Sequence, residues 1–236
     1  MGEPSRTKLP SLMLVTLRRG VLAGRFYLGI GVMVSLVLTV ALLRSARGTT
    51  QFVAIFPLEI PLFASLGAMG GLILFVGDRT QGVLEYFISY GVRPWTLFVN
   101  SLLVTATLTT IVLGGSLAVG LGGYVLSGNG LSVSLQNSVL GYTIPMAYAS
   151  ALFASIGGII WSSLSTPRMG VNTPVGLAPV LGVAPPIVVL IVAEGVDKSA
   201  YYSVTLGAAA GFLGLVVLLL IASSRLMDRE RYLSPI

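Results

Sequence analysis

Gly77-Asp78-Arg79-Thr80-Gln81-Gly82-Val83-Leu84-Glu85-Tyr86-Phe87-Ile88-Ser89-Tyr90-Gly91-Val92-Arg93-Pro94 is a polar interruption between two long apolar stretches. Read as one helix over about 78–91, it places Asp78, Gln81, Glu85 and Ser89 on one side and Val83, Leu84, Phe87 and Ile88 on the other. A helix with one polar and one apolar stripe, set where two membrane spans turn round, lies in the interface plane. It shows charge to water and offers a grip to a soluble partner.

The flanks of this tract define the class. Hydrophobic residues make up 55% of the 236-residue chain and charged residues 9%, against about a quarter charged in soluble domains. The fold class is therefore an all-α integral membrane protein. Six stretches approach the ~20 apolar residues that a crossing helix needs: Phe26–Leu43, Phe52–Val76, Trp95–Leu117, Val139–Trp161, Val175–Val192 and Val204–Ala222. The whole of 1–236 reads as a single transmembrane domain. The first stretch is longer than the ~7–15-residue core of a signal peptide and lacks a small-x-small cleavage site, so it is expected to be retained.

An even number of spans places both termini on one side. That side then holds Arg6, Lys8, Arg18, Arg19, Arg25, Arg79, Arg93, Arg168, Arg225, Arg229 and Arg231, and the other holds Arg44, Arg47 and Lys198. Eleven basic residues against three mark the first side as cytoplasmic in a cell (plasma) membrane. The net charge of +6 is thus explained by topology, and no nucleic-acid partner is expected. Leu12–Leu22 reads as an amphipathic helix (about 11–22) leading into the first span, with Arg18 and Arg19 at the headgroups. Ala118–Ser138 reads as a Gly-rich external segment with a turn at Asn129-Gly130, and Ser162–Pro174 as an irregular cytoplasmic loop.

Several chemistries are excluded by residue type. Cysteine and histidine are both absent, which removes disulfides, the usual zinc and haem ligands and the commonest general base. No catalytic, cofactor-binding or metal site is expected. A phosphate-binding loop needs G-x-x-x-x-G-K-[ST]. The two lysines, Lys8 and Lys198, follow Thr7 and Asp197, so any ATP-driven motor is another polypeptide.

Glu59, in Phe56-Pro57-Leu58-Glu59-Ile60-Pro61, is the one ionisable residue well inside an expected span. A charge at mid-membrane costs ~2.5–3.5 kcal/mol on insertion scales. Glu59 is either an acid lining a translocation pathway or an anchor near the outer headgroups, where Pro57 and Pro61 break or kink the helix. Small residues at four-residue spacing (Gly67/Gly71, Ala64/Ala68, Gly207/Gly211) are candidate helix contacts. Trp95, Trp161, Tyr201 and Tyr202 fall at expected span ends as interface belts.

The pattern acid-Arg-x-x-Gly-x-x-Glu (Asp78, Arg79, Gly82, Glu85) at the cytoplasmic end of a second span resembles the permease subunits of type-2 ABC exporters. The likeness extends to an N-terminal amphipathic elbow helix, six spans, cytoplasmic termini, a proline-bearing fifth span (Pro179, Pro185, Pro186) and a basic C-terminal end. The external connection Ala193–Ser203 is shorter than that family often carries. The resemblance implies that the tract is a coupling helix docking on a separate ATP-binding cassette ATPase subunit, which binds ATP and Mg. It implies that Asp78, Arg79 and Glu85 meet that subunit while Val83, Phe87 and Ile88 rest on the bundle. It also implies that Gly82 permits close approach and that a second copy of the permease completes the pathway. The alternatives are an ion-coupled carrier or channel, or a non-transporting membrane assembly subunit.

Overall fold

The protein was described from a computed structural model, which covers residues 14–22, 69–164, 172–194 and 198–227, with single positions at 25, 29, 32, 33, 36, 37, 40, 41, 56, 57, 60 and 61. Glu59, Ala64, Gly67, Ala68, the first expected span as a continuous element, residues 62–68 of the second, and the basic C-terminal end beyond 227 lie outside the described residues. So do residues 165–171 of the loop expected to be cytoplasmic.

The described residues are helical or in turns, with no strand among them. Residues 14–22 form α1. It is followed by α2 (Met69–Thr80), α3 (Val83–Ser89), α4 (Pro94–Leu126), α5 (Val133–Ser138), a π-helical stretch at Val139–Thr143, α6 (Ile144–Leu164), α7 (Asn172–Glu194) and α8 (Lys198–Met227). Among the described residues three helical stretches are long and apolar enough to cross a membrane: Pro94–Leu126, Leu135–Ser162 and Ser203–Arg225. The chain is therefore membrane-embedded. These three contain most or all of the third, fourth and sixth stretches expected from sequence. The fifth falls within α7, where Val180–Val189 is a shorter apolar helix. That helix runs unbroken past Pro179, Pro185 and Pro186.

The centre of the bundle is α6, which packs against α2, α4, α7 and α8. Of its membrane-crossing stretch 61% is buried, against 17% for α8. Small side chains allow this closeness: Ala147, Ala149, Ala151, Ala154, Ser150 and Ser155 are fully buried. Hydroxyls join the helices where an apolar solvent provides no partner. The Thr105 and Ser155 hydroxyls lie 2.9 Å apart, and those of Thr110 and Tyr148 2.6 Å apart, which sets α4 and α6 antiparallel. Gly71 is a true contact glycine, because Ser101 Oγ donates to its carbonyl at 2.6 Å. Gly207 and Gly211, by contrast, face open space.

The expected external segment is more ordered than its glycines suggested. Helix α4 continues to Leu126, and the turn falls at Gly128, whose φ of 85° suits glycine. The helical stretch that contains the fourth expected span begins earlier than expected, at Val133, and widens to a π-helix at Val139–Thr143. Pro145 follows directly; its ring and missing N–H disrupt the regular ladder one turn upstream. The same stretch repairs a second proline defect. Pro61 cannot donate to the carbonyl of Pro57, four residues earlier. Thr143 Oγ1 donates to that carbonyl instead, at 2.9 Å, and Phe56 and Ile60 beside it are buried. Thr143→Val should therefore destabilise the detergent-purified chain by about 1–2 kcal/mol, while Thr143→Ser retains the bond. Thermal unfolding of the two variants checks this; equal losses would detach the effect from the hydroxyl.

Candidate functional site

The polar tract is two helices with a corner between them, which corrects the single helix expected from sequence. The end of α2 carries Asp78 and Arg79, and the chain then turns at Gln81-Gly82. Thr80 Oγ1 bonds the Gly77 carbonyl at 3.0 Å, and the Gln81 and Gly82 amides bond the carbonyls of Gly77 and Arg79. Gly82 has φ 70° and ψ 9°. This left-handed conformation ends one helix and opens the next, and only glycine adopts it without penalty. The role of Gly82 here is therefore conformational. Before the corner Asp78 is buried, and beyond it Glu85 is half-buried.

Helix α3 closes with a Schellman arrangement. The Gly91 amide bonds the Ile88 carbonyl at 2.8 Å, and the Val92 amide bonds that of Phe87 at 3.1 Å. Gly91 takes φ 81°, satisfying carbonyls that the helix end would orphan. Arg93 is then extended, at φ −68° and ψ 136°, as a residue before proline must be. Pro94 starts α4 at a position where its missing N–H costs nothing.

Asp78 and Arg79 turn toward the chain's own helices. Arg19 of α1 grips Asp78 with both nitrogens, Nη2 to Oδ1 at 2.6 Å and Nη1 to Oδ2 at 3.3 Å. The Asp78 residue is only 8% exposed. Burial pushes its carboxyl above the ordinary value of 3.8, and Arg19 pulls against that shift without cancelling it. Arg79 donates from Nη1 to the Ser162 carbonyl and approaches Ser162 Oγ at 3.4 Å. Ser162 lies in the last turn of α6, where carbonyls lack intrahelical partners and a cation opposes the helix dipole. Burial lowers the Arg79 pKa, yet guanidinium remains charged. Two neighbouring residues thus fasten the corner to α1 and to α6.

Helix α1 is seated by Leu17 and Val21 against Leu74, Val104 and Leu108, with Gly20 pressed to Val104. Helix α3 is seated by its apolar side. Leu84 is buried, and Phe87, Ile88 and Val92 pack on a core containing Phe75, Phe98, Ile159 and Val216. Val83 is half-buried. The opposite side of α3 faces out. Tyr86 is 60% and Tyr90 72% exposed, and their rings, one helical turn apart, lie 4.7 Å from centroid to centroid. Thr80, Gln81, Ser89, Gly91 and Arg93 are exposed beside them, and Glu85 is half-buried.

The Glu85 carboxylate stands in the first turn of α3, where the helix dipole favours an anion. Among the described residues the one ion pair is Arg19–Asp78, so Glu85 is not neutralised by the chain's own cations there. No group of three or more metal-ligating side chains occurs among the described residues. The roles of Arg19, Ser162, Tyr86 and Tyr90 were not identified from sequence. For the tyrosines a signal existed, two aromatics at i and i+4 on the polar side of an amphipathic helix. For Arg19 and Ser162, which lie 59 and 83 positions from their partners, there was none. Comparison with protein-family models, curated proteins and solved structures finds no match to this chain.

Proposed function

We propose that this chain is the membrane-spanning permease subunit of an ATP-driven exporter of the type-2 ABC kind. It crosses the cell membrane six times with both termini in the cytoplasm and forms the translocation pathway with a second copy. It is worked by separate ATP-binding cassette ATPase subunits, which hold ATP and Mg. The single observation that carries this reading is the two-sided build of α3. Leu84, Phe87 and Ile88 fix it to the bundle, while the exposed Tyr86–Tyr90 pair points away from it with half-buried Glu85 next to it. A rigid helix fixed on one side and open on the other can pass a displacement from a soluble motor to the spans it joins. Exposed tyrosines are among the residue types that anchor protein interfaces.

In this arrangement the docking residues are Glu85, Tyr86 and Tyr90. Asp78 and Arg79 act one step behind them, holding the lever to α1 and α6, and Gly82 supplies the corner. Co-expression with a candidate ATPase, followed by pull-down in detergent, is the test. Glu85→Lys should abolish co-purification, and Tyr86→Ala with Tyr90→Ala should weaken it by about 100-fold, the loss expected for two hot-spot side chains worth together ~3 kcal/mol. Unfolding temperatures should stay near those of the parent, because these side chains do not contribute to the core. Retained association in both variants would remove α3 as the docking element. Cargo movement on an ion gradient without nucleotide would replace the exporter with a carrier.

A further inference from the structure

The far end of the bundle, opposite the Arg19–Asp78 pair, contains a groove lined by Leu121, Leu131, Leu135, Gln136, Val139 and Leu140, with a volume of about 250 Å³. It lies between the last turns of α4 and the start of the fourth crossing. Its surroundings lack the charge that marks a segment outside the membrane. Helix α4 has 33 residues, about 50 Å at 1.5 Å per residue, while a hydrocarbon core is ~30 Å thick. Yet residues 94–167 contain no charged side chain. At this end Leu126 is 90%, Val133 70% and Leu140 66% exposed. A leucine-rich, uncharged surface of this kind is unfavourable in water and marks a site covered by something apolar.

We infer that this groove holds one acyl chain of a bilayer phospholipid from the leaflet opposite the arginine-rich end, with the Gln136 amide at the lipid's ester or phosphate oxygens. The lining is uncharged and apolar, so it matches methylenes and gives a charged peptide nothing to bind. Its volume falls below the ~300–1,000 Å³ of drug-sized pockets, which suits a segment of a single chain. The groove is continuous with the exposed Leu131 and Leu140, so a lipid chain enters it without leaving an apolar surrounding. Gln136 is exposed beside these leucines and brings two N–H donors to the polar end of such a chain. Exposed Ser127 and Asn137 add polar groups at the same end of the bundle. The inference goes beyond the exporter reading and does not depend on it.

The test uses the full chain in vesicles of phosphatidylethanolamine and phosphatidylglycerol, doped with a phosphatidylcholine carrying a photoactivatable acyl chain. After illumination, labelled positions are mapped by mass spectrometry. Labelling should concentrate on residues 121–140 and exceed that of the exposed apolar face of α8 around Leu215, Leu218 and Ile221. Leu140→Trp and Leu131→Trp fill the groove from exposed positions that leave the core intact. Each should lower labelling there by about tenfold, equivalent to ~1.4 kcal/mol, and leave α8 labelling unchanged. Labelling proportional to exposure everywhere and indifferent to both tryptophans would overturn the inference. Cross-links from 121–140 to a second copy would also overturn it in favour of a protein interface. Displacement by free palmitate as effective as by phospholipid would overturn it in favour of an acylated cargo.

Discussion

Arg19→Ala is expected to lower the apparent unfolding temperature of the detergent-purified chain by about 4–8 °C. This corresponds to ~2 kcal/mol at ~2–4 °C per kcal/mol for a chain of this size. The magnitude follows from burial. Exposed ion pairs contribute ~0.2–1 kcal/mol, whereas removing one partner of a fully buried pair costs ~3–5 kcal/mol. The Arg19 side chain is 39% and that of Asp78 11% exposed, so the loss falls between these limits and consists mainly of the carboxylate left without its guanidinium. Arg19→Ala combined with Asp78→Asn should therefore lose less than the sum of the single changes, because no buried charge then remains.

The pH dependence of this pair has a definite sign. Burial raises the folded-state pKa of Asp78 above 3.8, so the folded chain binds this proton more firmly than the unfolded one. The resulting stabilisation is complete below the unfolded pKa and is lost as pH rises through the folded value. Without Arg19 the folded pKa rises further, since the guanidinium is the influence that lowers it. The deficit of Arg19→Ala should accordingly shrink as pH falls from neutral toward about 4. A pH-independent deficit, or strict additivity with Asp78→Asn, would mean that the pair does not couple α1 to the corner.

Gly71→Ala is expected to cost about 3 kcal/mol, at the upper end for an overpacked interior, or roughly 6–12 °C in unfolding temperature. A Cβ on Gly71 would stand 2.2 Å from Thr105 Oγ1, 2.4 Å from the Ser101 carbonyl oxygen and 3.0 Å from the Thr105 amide nitrogen. A side chain can rotate away from such a contact, but a backbone carbonyl cannot. Thr105→Ala should therefore fail to rescue the variant. The matched control lies on the same helix. Gly77 faces open space, so Gly77→Ala should be neutral or stabilising by up to ~1 kcal/mol through helix propensity. Equal behaviour of the two glycines would mean that α2 and α4 do not meet at Gly71.

The membrane class and the positions of the long apolar helices were legible because twenty-residue hydropathy is set by the bilayer and needs no partner to express itself. The apolar side of the polar tract was legible for a similar reason, since Leu84, Phe87 and Ile88 recur at helical spacing. The corner at Gly82 was not. Asp78 through Ser89 fits one helical wheel, and a glycine inside such a pattern has the same sequence signature whether it is αR or αL. The inward turn of Asp78 was hidden for a different reason. An acid at the end of a span reads as solvent-facing until a cation 59 positions away is brought against it. The hydroxyls that join α4 to α6 read as neutral filler in an apolar run, because their partners are set by the antiparallel register of the two helices. The extension of α4 to Leu126 contradicted a local rule, in which clustered glycines mark a loop, and packing of Gly120 against Phe56 accounts for part of the difference.

That two consecutive side chains clasp opposite neighbours has a consequence for protein engineering. A tract from Gly77 to Pro94 transplanted from another membrane protein would arrive without the arginine of the leading helix or the end of α6 that receives its own. Such a chimera would fold its corner and still slip, like a gear cut to the right teeth but loose on its shaft. Exchanging the corner therefore means moving three separate segments of the chain together.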